Sequence, residues 1–337
     1  MARGSQQSIN PGRAARKVLI IKLSALGDIV MSLGAMREIR QAHPAASITW
    51  LTTPAYKAFA EKCPFVDRVE TDGRPEKMKD SSALVNRLRH EKYDIIYDLH
   101  CSDRTANYFR MMNLPGRRPP VWSGHAKGAK LLYDPPERKQ IPPIDRHARQ
   151  LEAAGLGPFP SPPLPALDWA FRDVDTNPRL QPAYFNLSGP FAIVAGGSSD
   201  GHPDKRWPPT SYAEIANRLE EHGLEPVLIG TVEDGETNTE IGRDAPRARN
   251  LTTRTDLFQL AALASKANLV IGNDTGPLHL AAAAGAPAIA LFSSLHSQPD
   301  TVVSRSSPIL AVVDEKVENI PVDTVWQMIR AMGVLPK

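Results

Sequence analysis

Short apolar runs alternate with amphipathic stretches along most of this chain. Residues 17–21 (Lys-Val-Leu-Ile-Ile) read as a first buried strand, and a loop over 22–28 leads into a helix with apolar positions at Ile29, Val30, Leu33, Met36 and Ile39. Pro44 ends that helix, and a second strand follows over 47–52. A helix near 55–63, a short strand near 66–70, a helix over 82–91 and a buried strand over 94–99 complete this half. The alternation restarts at 191–195. There it predicts a helix over 212–222, a strand over 226–229, a short extended stretch at 250–252, a helix over 256–264, and strands at 269–271 and 288–292. A last helix is predicted over 322–332. Strands separated by helices predict a parallel, doubly wound sheet in each half, with ligands at the carboxyl ends of the strands.

Between 114 and 190 the texture changes, because prolines crowd the segment and only one helix, near 145–154, interrupts it. The domain reading is therefore a disordered polar tail over 1–16, a first Rossmann-like domain over 17–170, a linker over 171–188, a second such domain over 189–320, and a C-terminal helix within 321–337. A length of 337 residues fits two domains. Two cysteines allow no disulfide framework or cysteine-rich metal site and fit a reducing compartment. The run at 18–21 is too short for a signal sequence, and the apolar run 278–292 is broken by His279 and Pro287. The expectation is a cytoplasmic protein. A net charge of +3 carries no nucleic-acid signature. Basic residues nonetheless gather at Arg104, Arg110, Arg117, Arg118, Lys127, Lys130, Arg138 and Lys139, either as a solvated face or as a surface for an anionic partner.

The chemistry concentrates at turns. After the strand ending in Ile271-Gly272 the chain reads Asn273-Asp274-Thr275-Gly276-Pro277-Leu278-His279 and then an alanine-rich helix closed by Gly285. Asp274 stands at the natural N-cap position, and backbone N–H groups of Thr275 and Gly276, with the helix dipole behind them, suit a phosphate. After the strand at 191–195 come Gly196, Gly197, Ser198 and Ser199, then Lys205-Arg206-Trp207-Pro208. Glycines there let backbone approach a ligand, and the serines offer hydroxyls. Asp28 opens the first helix, where a carboxylate either caps the helix or faces a cleft as a base.

Four segments in this order, 17–28, 93–99, 205–208 and 273–279, make the chain resemble the bacterial ADP-heptose:lipopolysaccharide heptosyltransferases. That is a glycosyltransferase family of GT-B fold, with two facing Rossmann-like domains, open parallel sheets and an interdomain cleft. The resemblance runs from Lys17 to Phe292. It implies an inverting, metal-independent transfer of heptose from ADP-heptose to an inner-core, Kdo-lipid A type acceptor, with no cofactor. It further implies a peripheral enzyme at the cytoplasmic face of the inner membrane, in transient contact with that surface and with an anionic glycolipid.

By the same resemblance Asp28 is the catalytic base and Lys205 contacts the donor diphosphate, where an ammonium offsets the charge that grows as the glycosidic bond breaks. Ser198, Ser199, Thr275 and Gly276 join it as donor-binding residues. Asp274 accepts from sugar hydroxyls, Glu233 from the ribose, and His279 faces the same site from the first helical turn. Without the resemblance Lys205 reads as an exposed loop lysine and His279 as a structural histidine. His100, Asp103 and Arg104 follow the strand 94–99 and are candidates for acceptor contact, or a solvated loop.

Other motifs point elsewhere only weakly. Asp173-Val174-Asp175 has metal-binding spacing but lies in the proline-flanked linker, so no metal is expected. G-x-G-x-x-G after the first strand and the P-loop signature are missing, which argues against dehydrogenase and P-loop readings. The family's Gly/Pro-rich loop after Phe292 is replaced here by Ser293-Ser294-Leu295-His296-Ser297-Gln298-Pro299, and His100 stands where a glutamine is commoner. Two further readings stay open from the residues: a nucleotide-sugar epimerase of the same fold, and a non-catalytic nucleotide-sugar-binding protein.

Overall fold

A computed structural model describes residues 15–73, 78–113, 119–197, 206–295, 302 and 307–336, without the side chains of 78–80. The expected tail, apart from its last two residues, lies outside the described residues, as do Ser198, Ser199 and Lys205. The chain divides into two compact units, Met1–Ser24 with Gly34–Pro163, and Ala25–Leu33 with Leu164–Lys337.

In chain order the first sheet takes β1 (Lys17–Ile21), β2 (Ser47–Thr52), β3 (Arg68–Thr71), β4 (Ile95–Asp98), β5 (Val121–Gly124) and β6 (Leu131–Leu132). They lie side by side as β3-β2-β1-β4-β5-β6, every pairing parallel. Its helices are α1 (Leu26–Ala42), α2 (Lys57–Ala60), α3 (Met78–His90), α4 (Asp103–Met112) and α5 (Pro143–Ala153). Leu19, Ile21, Leu51 and Ile96 from the strands bury against Leu84, Leu88, Phe109 and Trp122. These are the runs that read as apolar throughout, as expected of strands covered on both faces.

The second sheet takes β7 (Phe191–Ala195), β8 (Glu225–Leu228), β9 (Arg249–Asn250), β10 (Leu269–Asn273), β11 (Ala288–Ser293) and β12 (Ile309–Asp314). Its order is β12-β11-β10-β7-β8-β9, again all parallel. α6 (Pro209–Glu221), α7 (Gly235–Asp244), α8 (Leu257–Lys266), α9 (Gly276–Ala283) and α10 (Val322–Met332) cover it. Each sheet therefore reverses direction next to its first strand, between β1 and β4 and between β7 and β10. Such switch points are where open α/β sheets hold ligands.

Residues 164–187 carry single 3-10 turns at Asp168–Ala170, Pro178–Leu180 and Pro182–Phe185. They lie on α8: Trp169 meets the Phe258 ring edge-on at 6.2 Å, and Gln259 donates to the Arg179 carbonyl at 3.2 Å. Asp175 of the D-x-D motif pairs with Lys266 at 2.8 Å.

Several elements depart from the sequence reading. α4 carries apolar residues at Ala106, Phe109 and Met112, spaced three apart, where the sequence suggests a loop at its start. Its capping box, Ser102 with Thr105, is the signal that marks it. α7 buries only Ile241 and Asn238, so no apolar stripe announces it. β5 and β6 are short strands within the proline-rich stretch, and β12 is an edge strand. The N-cap of α9 is Thr275, not Asp274, because the helix begins one residue later than the capping pattern predicts.

Candidate active site

Asn273, the last residue of β10, is fully buried and holds the switch point of the second sheet together. Its side-chain amide donates to the Gly196 and Gly197 carbonyls at 3.1 and 3.2 Å, just past the end of β7. Its carbonyl oxygen accepts from the Tyr212 hydroxyl at 2.9 Å and from the Trp207 backbone N–H at 3.3 Å. Trp207 is itself buried, edge-on to Tyr212 with centroids 5.0 Å apart, and its indole N–H donates to the Ile320 carbonyl at 2.8 Å. One amide thus fixes both ends of the segment that carries Ser198, Ser199 and Lys205. Sequence reading placed Asn273 in the motif but gave it no role.

The turn from β10 into α9 leaves backbone N–H groups open at a helix start. Thr275 is extended (φ −140°, ψ 163°), and Pro277 occupies the second helical position. By helix geometry the N–H groups of Gly276 and Leu278 find no partner inside the helix, and proline contributes none. The His279 ring nitrogen Nε2 lies 3.0 Å from Asp274 Oδ1, both side chains 11% exposed. Asp274 and His279 are therefore brought together on one side of the turn.

The first turn of α1 lies against the same turn, within the second unit. A Cβ on Gly276 would stand 2.6 Å from the Leu26 Cβ, and one on Gly27 2.7 Å from His279 Cδ2. Only hydrogen fits at either place, so these glycines are spacers that let two helix N-termini meet. Asp28 sits one residue beyond Gly27, half-buried in the first turn of α1. The structure thus places Asp28, Asp274, Thr275, Gly276 and His279 at one locus. The paired glycines were legible in sequence only as turn residues.

Glu233 is exposed in a 3-10 turn (Val232–Asp234) beyond the end of β8. Its neighbour Asp234 accepts from the Thr231 backbone N–H at 2.7 Å, and a Cβ on Gly197 would collide with Asp234 Oδ1. Asp234 therefore shapes the backbone after β7.

In the first unit the switch point is built around Asp98 at the end of β4. Asp98 Oδ1 accepts from the backbone N–H of His100 at 3.2 Å and of Cys101 at 2.9 Å. Lys22, 2% exposed, donates to the Leu99 carbonyl at 3.2 Å. Complete burial pushes the Asp98 carboxyl up to about 6, opposed by the Cys101 N–H, the Thr105 side chain, the His100 N–H and the nearby Lys22 charge. His100 is half-buried in this turn, and Asp103 is exposed at the start of α4. Arg104 is engaged with buried Asp72 at 3.4 Å, and Tyr108 donates to the same carboxylate at 2.7 Å. Asp72, at the end of β3, has no motif around it and was not singled out in the sequence.

Comparison with known proteins follows the same lines. The model of glycosyltransferase family 9 (heptosyltransferase) matches residues 81–315. Lipopolysaccharide heptosyltransferase 2 of Salmonella typhimurium is 28% identical over 298 residues, covering 84% of each chain. The solved E. coli ADP-heptose LPS heptosyltransferase II superposes with a TM-score of 0.71 at 24% identity, over 94% of this chain and 98% of that one. E. coli heptosyltransferase WaaC with ADP gives a TM-score of 0.72 at 20% identity, over 94% and 99%. Two parallel six-stranded sheets with the strand order of Rossmann-like units, and a fold alike to these solved GT-B enzymes, accompany the family match. This chain is a glycosyltransferase and belongs to glycosyltransferase family 9, the heptosyltransferase family.

Proposed function

We propose that this chain transfers a heptose from ADP-heptose to the inner core of a lipopolysaccharide precursor of the Kdo-lipid A type, with inversion and without a catalytic metal. The carrying observation is the meeting of two helix N-termini in the second unit, one bearing Asp28 and the other Thr275 and Gly276. Relatives whose names state lipopolysaccharide heptosyl transfer, and one solved structure whose name adds ADP-heptose, support the substrate pair.

In this reading the diphosphate sits on the N–H groups at the start of α9, with the helix dipole behind it. Lys205 and the hydroxyls of Ser198 and Ser199 add charge and donors as the leaving group departs. Asp274, oriented by His279, accepts from the sugar, and Glu233 from the ribose. Asp28 takes the proton from the acceptor hydroxyl as that oxygen attacks the anomeric carbon from the face opposite the diphosphate. His100, Asp103 and Arg104 contact the acceptor. Arg104 lends part of its charge to Asp72, so its contribution there is that of a fixed, oriented guanidinium.

Among the described residues no helix is long and apolar enough to cross a membrane. The basic residues of 104–139 would instead meet the anionic inner leaflet by charge, with the glycolipid acceptor in it. The test is product analysis: ADP-heptose and Kdo-lipid A incubated with the chain, read by mass spectrometry. Addition of one heptose to the acceptor is the expected product. Unchanged acceptor alongside an altered free nucleotide sugar would replace the transferase by an epimerase.

A further inference from the structure

Beside the turn after β4 lie three side chains that the transfer proposed above does not use. Asp98 closes β4, Cys101 lies three residues on, and His125 follows directly on the neighbouring strand β5. One carboxylate oxygen, the Cys101 sulfur and one ring nitrogen of His125 all lie within 4.8 Å of one another.

Two of the three side chains carry buried atoms short of partners. Asp98 is 0% exposed; Oδ1 takes two backbone N–H groups, the Thr105 side chain also acts on the carboxylate, and Oδ2 is buried with no close hydrogen-bond partner among the described residues. The Nδ1 of His125 is likewise buried without a partner. A buried polar atom left without a partner is costly unless something satisfies it.

The backbone is also spent on this arrangement. Cys101 has a left-handed φ of 50°, a region β-carbon-bearing residues avoid. The Asp98 carboxylate holds it there through the N–H of Cys101. From α5, buried Gln150 donates to the Asp98 carbonyl at 3.0 Å and the Ser123 carbonyl at 3.3 Å, tying the ends of β4 and β5 at a fixed spacing. Its carbonyl oxygen stands 3.8 Å from the Cys101 sulfur, and that thiol also points at the Asp98 carbonyl, 2.9 Å away.

We infer that Asp98, Cys101 and His125 form a binding site for one thiolate-preferring divalent cation, of which zinc is the natural occupant. Sulfur, imidazole nitrogen and carboxylate oxygen are the donor set of tetrahedral zinc sites, with ligand bonds of about 2.0–2.3 Å. Ligation draws the three atoms inward. The Cys101 thiol gives up its proton to solvent and its hydrogen bond to the Asp98 carbonyl. Carboxylate and thiolate together match the ion's double positive charge. Of the cations acting on Cys101, Arg138 and Lys22, the first is partly offset by Asp134 at 3.0 Å. A water completes the coordination. The ion clips the turn before α4 to the strand end beside it, and takes no part in the transfer proposed above.

The test uses the purified full chain, stripped with a chelator and kept reduced. Cobalt(II) is added as a spectroscopic probe and zinc is titrated against a competing dye. The expected result is one equivalent bound, a thiolate-to-cobalt charge-transfer band, and zinc-dependent protection against thermal unfolding. Cys63→Ser keeps the band. Cys101→Gly, which relieves the left-handed strain and so folds at least as well, loses it together with the thermal shift. His125→Gln weakens zinc binding by at least tenfold. No stoichiometric binding to the wild-type chain, or a band that survives Cys101→Gly, overturns the site, and neither bears on heptosyl transfer.

Discussion

Gly27 lies so close to His279 that a Cβ on it would stand 2.7 Å from the ring's Cδ2. The ring cannot simply step aside, because its Nε2 is held 3.0 Å from Asp274. The glycine therefore sets the distance between Asp28 and the turn into α9. Gly27→Ala is expected to push the two helix starts apart and to lower kcat/KM by roughly 100-fold, the effect of misplacing a reacting group by about 1 Å. Thermal unfolding should change little by comparison. A variant with wild-type kcat/KM would separate the Asp28 turn from the chemistry.

Asn273 makes four hydrogen bonds from complete burial. Asn273→Ala leaves the Tyr212 hydroxyl and the Trp207 N–H without their acceptor. Unpaired buried groups of this kind cost about 1–3 kcal/mol each, so a loss of about 3 kcal/mol in urea unfolding is expected. Donor affinity should fall with it, since Gly196 and Gly197 lose their anchor. Stability within 0.5 kcal/mol of wild type, the order of an ordinary surface change, would contradict that role.

His43 in the first unit is 2% exposed, with Nε2 2.9 Å from the Tyr97 hydroxyl. Burial, and then the Arg40 charge, lower its pKa from the ordinary 6.5. In the window below 6.5 the unfolded chain binds the extra proton and the folded chain does not. Stability is therefore full above 6.5 and is lost as pH falls toward the folded-state value, by at most about 1.4 kcal/mol per pH unit for one proton. Denaturant unfolding at pH 7.5 and 5.5 should show a shallower pH slope in His43→Gln than in wild type. Equal slopes would mean the imidazole titrates alike in both states.

The sheets were legible because fully apolar runs such as 17–21 and 191–195 have no other stable place, and the alternation with helices limits the topology. The turn at 273–279 was legible because capping and dipole chemistry are local. What escaped were features set by contact. α7 has a single buried aliphatic residue, so its existence depends on packing and not on pattern. Asn273 reads as one polar residue among several until its four partners are seen. Gly27 and Gly276 earn their place from distances to residues far away in the chain, which spacing alone does not carry. The cap of α9 moved by one residue because Asp274 is occupied with His279.

The most direct measurement is ADP release from ADP-heptose, with and without Kdo-lipid A, for the wild-type chain and for Asp28→Ala. Acceptor-dependent release that falls by at least 100-fold in the variant, with ADP-heptose still bound, is the predicted result for a base that acts only on the acceptor proton. Wild-type turnover in Asp28→Ala, or release indifferent to the acceptor, would contradict the account.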